Sequence, residues 1–161
     1  MIWTRNDRYP GGALKVSTPR TLKLLTASTI LYMLLALLAG LVAIDQNLPG
    51  EFAGSHTGLT ATQDFLYGMG TAISPLLTVV LQLALLRLAP RSDRWGTLAV
   101  LGLALIGLLP FVGALGEPIN FRIFNPATFD PLKALLMAAM ILLPLAILVL
   151  GLMEWARRRR G

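Results

Sequence analysis

Thr71, Ser74, Thr78 and Gln82 recur at steps of three, four and four inside a charge-free run from Phe65 to Leu86, so a helix there presents all four on one face. Hydroxyls and an amide donate and accept hydrogen bonds without ionising near neutral pH. The chemistry open to them is therefore recognition, either of a neighbouring helix or of a guest molecule. Counted from the basic ends of their runs, Tyr32 stands at the depth of Thr78 and Thr29 at the depth of Gln82. The spacing predicts a hydrogen-bonded seam between two helices, with Tyr32, Thr71, Ser74, Thr78 and Gln82 as candidate lining of an intramembrane cavity. Interhelical hydrogen bonds in a bilayer contribute about 0.6 kcal/mol each, so such a seam sets register more than it stabilises.

A second set could in principle carry acid–base chemistry. His56, Asp64, Glu117 and Arg122 all fall outside the apolar runs and on one side of them. Acids and a single histidine in loops are more often solvated than catalytic, and no spacing among them forms a helix-borne metal site. The chain has no G-x-S-x-G, phosphate-binding glycine loop or H-E-x-x-H, and Gly68-Met69-Gly70 reads as room for close helix approach. With no cysteine, disulfides, thiolate metal sites and thiol nucleophiles are excluded. No metal and no cofactor is expected. The four apolar runs also lack ionisable side chains, which argues against a proton-coupled pump.

The elements that must position these residues follow from the charges. Uncharged stretches separate Lys23 from Asp45, Asp64 from Arg87, Arg94 from Glu117, and Lys133 from Glu154. Each is long enough at about 1.5 Å per residue to cross a bilayer core of roughly 30 Å. The whole chain is 55% hydrophobic and 14% charged with a mean hydropathy of +0.69, which leaves no room for a sizeable soluble domain. The fold class expected is all-α: an antiparallel bundle of four transmembrane helices over about 22–44, 65–88, 96–115 and 132–153. Residues 1–21 and 154–161 form basic tails. The first run is longer than the apolar core of a signal peptide and is expected to remain as a spanning helix.

Local signals sharpen the boundaries. Thr60-Ala61-Thr62-Gln63 matches a capping box, so the second helix should begin before its apolar run. Pro75 should interrupt that helix, and Pro110 and Pro144 should bend the third and fourth. Gly96, Ala99, Gly102, Gly107, Pro110 and Ala114 share one face of the third helix, as close packing requires. Asp130 before Pro131 is a good helix start. Residues 117–131, with Phe121, Ile123, Phe124 and Phe129, read as an extended segment over the bundle.

Of 14 Lys and Arg residues, twelve flank the start of the first run, the connection between the second and third, or the end of the fourth. Arg122 and Lys133 alone lie opposite, among five acids. The positive-inside rule then places both termini in the cytoplasm. Asp64, Arg87, Lys133 and Glu154 are expected at the interface in structural roles. Arg157, Arg158, Arg159 and Arg160 should attract anionic lipids, which accounts for the net charge of +6 without nucleic acid. The function expected is that of a non-catalytic accessory, assembly or scaffold subunit of the cell (inner) membrane. Its partner would be another membrane protein or a second copy. A binder of a small apolar molecule or lipid is the alternative, and an enzyme using the outer acids and His56 stands third.

Overall fold

The computed structural model describes residues 19–47, 51–52, 55–56, 58–67, 75–116 and 131–160. Five helices account for nearly all of them: α1 (Arg20–Asp45), α2 (Ala61–Tyr67), α3 (Pro75–Leu88), α4 (Arg94–Gly116) and α5 (Pro131–Arg160). A two-residue antiparallel hairpin, β1 (Glu51–Phe52) and β2 (Ser55–His56), sits between α1 and α2 with Glu51 opposite His56. Three helices, α1, α4 and α5, are long and apolar enough to cross a membrane. Backbone amides have no water to bond in hydrocarbon, so an apolar run of this length is stable there only when coiled.

The second apolar run is described as α2 up to Tyr67 and as α3 from Pro75. Pro75 is the first described residue of α3. The seven residues before it, 68–74, lie outside the described residues, and with them the expected interruption. The 14 described residues of α3 span about 21 Å. The capping box forms as expected: the Gln63 N–H donates to Thr60 Oγ1 at 3.3 Å, and the Thr60 N–H donates to Gln63 Oε1 at 3.0 Å. α1 ends on Asn47 in the left-handed region (φ 47°), whose N–H donates to the Ile44 carbonyl at 3.1 Å. That arrangement satisfies a carbonyl the helix would otherwise leave open.

α4 packs most extensively on α5, α5 on α1, α3 on α4, and α1 on α3, which closes a ring of helices. Small residues set the α4–α5 distance. A Cβ at Gly107 would stand 2.7 Å from the Pro144 carbonyl oxygen and 2.9 Å from the Leu148 nitrogen; one at Gly151 would stand 2.8 Å from Ala104 Cβ. These pairs run antiparallel, and both helices continue through their prolines, Pro110 and Pro144. Of the predicted small-residue face, Gly107 meets α5 and Gly102 meets Leu85 of α3.

The apolar core lies toward one end of the ring. Leu22, Leu25, Ala99, Val100, Leu103 and Ile147 are buried in one cluster with Tyr32 and Ala89. This end also receives the start of α1, the turn between α3 and α4, and the close of α5, so it is the basic end of the bundle. At the far end Gly40 of α1 lies against the Phe65 ring of α2, leaving no space for a side chain. The expected segment over 117–131 lies outside the described residues, apart from Pro131.

Candidate functional site

Two groups of polar side chains are brought into the interior, and they differ in kind. At the basic end Glu154 of α5 is fully buried. Its Oε2 accepts from Thr21 Oγ1 of α1 at 2.6 Å and from Arg157 Nε at 2.9 Å. Its Oε1 accepts from Arg157 Nη2 at 2.6 Å and from Arg158 Nε at 2.8 Å. A carboxylate has about four lone-pair sites, so this one is saturated.

Arg158 continues the knot. Its Nη2 donates to the Ala89 carbonyl at 2.7 Å and its Nη1 to the Arg91 carbonyl at 2.9 Å. The end of α3 leaves carbonyls with no partner in the helix, and the guanidinium fork supplies it. One carboxylate and one arginine thus tie α1, the α3–α4 turn and α5 together. Asp93 caps the start of α4 beside them, accepting the Gly96 N–H at 3.0 Å and pairing with Arg91 at 2.6 Å. The Arg91 hydrogen bond, and next the Gly96 N–H, hold the Asp93 carboxyl below the usual aspartate range.

The second group is the predicted stripe. Thr78 and Gln82 lie on α3 as the spacing requires, while Thr71 and Ser74 lie outside the described residues. Gln82 is fully buried, and neither its Oε1 nor its Nε2 has a hydrogen-bond partner among the described residues. The Thr29–Gln82 bond expected from matched depth is not made. Thr29 instead donates to the Leu25 carbonyl of its own helix at 2.8 Å, the local alternative open to any helical threonine. Tyr32 is buried in the core cluster.

Of the acid–base set, Asp64 is buried in the first turn of α2. His56 is described only as backbone paired with Glu51, and Glu117 and Arg122 lie outside the described residues. Among the described residues, no group of three His, Cys, Asp or Glu could hold a metal ion.

Glu154 departs most from its sequence-based expectation. The sequence puts it at the interface, and the fold encloses its side chain within the bundle. Its i+3 and i+4 arginines were a readable signal; Thr21, 133 residues away, was not. The four terminal arginines also divide. Arg157 and Arg158 bind Glu154, the Arg159 guanidinium lies 4.3 Å from the Trp155 ring centroid, and Arg160 forms no ion pair among the described residues. Compared with protein families, characterised proteins and solved structures, the chain matches none.

Proposed function

We propose that this protein crosses the inner membrane of a bacterial-type cell four times with both termini cytoplasmic. In this reading it acts without catalysis, as an accessory, assembly or scaffold subunit. The fourth crossing is the combined path of α2 and α3, and the orientation follows the charge asymmetry of the sequence. One observation supports the scaffold reading. Every hydrogen-bonding site of Glu154, and all three nitrogens of Arg158, are spent on holding segments of this chain together. A reacting group needs an open position for substrate or proton.

Extraction in mild detergent followed by cross-linking and mass spectrometry tests the proposal. The expected result is a stoichiometric membrane-protein partner, or a second copy. A partnerless monomer carrying a bound small molecule would overturn it in favour of the second reading.

That second reading, a binder of a small apolar molecule or lipid within the bilayer, is favoured by Gln82. An unpartnered buried amide costs about 1–3 kcal/mol, a loss that a bound guest with one polar group would recover. Gln82→Leu should then abolish retention of a copurifying molecule while leaving the fold intact. Unchanged retention would sink this reading.

A further inference from the structure

We infer that α5 carries a discrete headgroup site for one anionic phospholipid, formed by Arg157 and Arg160 above Met153 and Ala156. These four side chains line an open surface groove of about 330 Å³ along one face of α5. Their spacing places them on one helix face, with the apolar pair toward the apolar body of α5 and the two arginines beyond it. A phospholipid has the same order along its length: acyl chain, glycerol, phosphate.

The neighbouring arginines are already engaged. Arg158 is only 12% exposed and uses all three nitrogens on Glu154, Ala89 and Arg91. Arg159 covers the Trp155 ring. Arg157 is 51% exposed and holds Glu154 with Nε and Nη2, so Nη1 takes no part in that pair. Arg160, exposed and without an ion pair among the described residues, completes the site. Two guanidinium groups beside an apolar floor match a phosphate monoanion joined to an acyl chain. The site rests on the membrane reading above only in requiring the basic end to lie at a headgroup layer, and it serves a scaffold or a carrier equally.

The test uses the full chain in phosphatidylcholine nanodiscs doped with phosphatidylglycerol, with retained lipids counted by native mass spectrometry after release. One phosphatidylglycerol should stay bound in preference to phosphatidylcholine. Arg160→Gln should weaken that retention about fivefold, from ~1 kcal/mol for one arginine near a charged lipid. Ala156→Trp should fill the groove and weaken retention without changing charge. Arg159→Gln should leave retention as it was.

Equal losses for Arg159→Gln and Arg160→Gln would mean diffuse surface attraction and overturn the site. Full retention in Ala156→Trp would also overturn it. Saturation of the arginines by glycerol phosphate in neutral detergent, as tight as by the lipid, would remove the acyl chain from the assignment. Failure of the chain to enter nanodiscs at all would count against the membrane reading itself and is read separately.

Discussion

Glu154 and Gln82 are both enclosed by apolar helices, yet the fold treats them in opposite ways. The carboxylate, far costlier to bury, has every acceptor site filled by donors from α1 and α5. The amide, cheaper to bury, has none of its sites filled among the described residues. Desolvation explains the first case: an unpaired buried charge is intolerable, so a charge persists in the interior only inside a complete network. The second case is tolerable thermodynamically and marks a position where the structure forgoes stability. The basic end is therefore fastened by polar bonds, whereas the middle of α3 holds hydrogen-bonding capacity in reserve.

The largest expected break in this comparison is Glu154→Leu. Removing the carboxylate strands Arg158 against the carbonyls of Ala89 and Arg91 and leaves Thr21 without its acceptor. Breaking a buried pair from one side costs about 3–5 kcal/mol, to be read as a lower midpoint of unfolding in mixed detergent. A change below a quarter of that would show that water already reaches the knot.

Gln82→Leu should move stability the other way, by about 1–3 kcal/mol in delipidated detergent, because it deletes two unsatisfied atoms and keeps similar volume. Destabilisation instead would reveal a partner for the amide. Gly107→Ala separates the knot from the packing beneath it. The added methyl meets backbone atoms of α5 at 2.7 and 2.9 Å, which cannot swing aside, and should cost about 1–2 kcal/mol.

The smallest effect is a pH dependence. Asp93 is held as a carboxylate below its ordinary range by Arg91 and the Gly96 N–H. Its contribution is complete above the range where an unfolded aspartate titrates, and it is lost as acidification passes through the lower folded value. Amide exchange in the first turn of α4 should quicken over that acidic window, and Asp93→Asn should flatten the response.

The apolar runs were legible because charge exclusion and length are local properties of the chain. α1, α4 and α5 match three of them, and the Thr60–Gln63 cap forms as its spacing indicates. Asp93, just before α4, carries a capping signal of the same local kind. What escaped was everything decided at long range. Depth matching suggested that Thr29 would meet Gln82, but an intrahelical carbonyl was nearer. Glu154 lay at the edge of a run and was assigned to the interface, because nothing near it in sequence announces Thr21.

The knot at the basic end also has a timing. Glu154 is made 133 residues after Thr21, and Arg158 69 and 67 residues after Ala89 and Arg91. The helices made before them meet one another through apolar packing, and the polar fastening is added only when the close of α5 arrives.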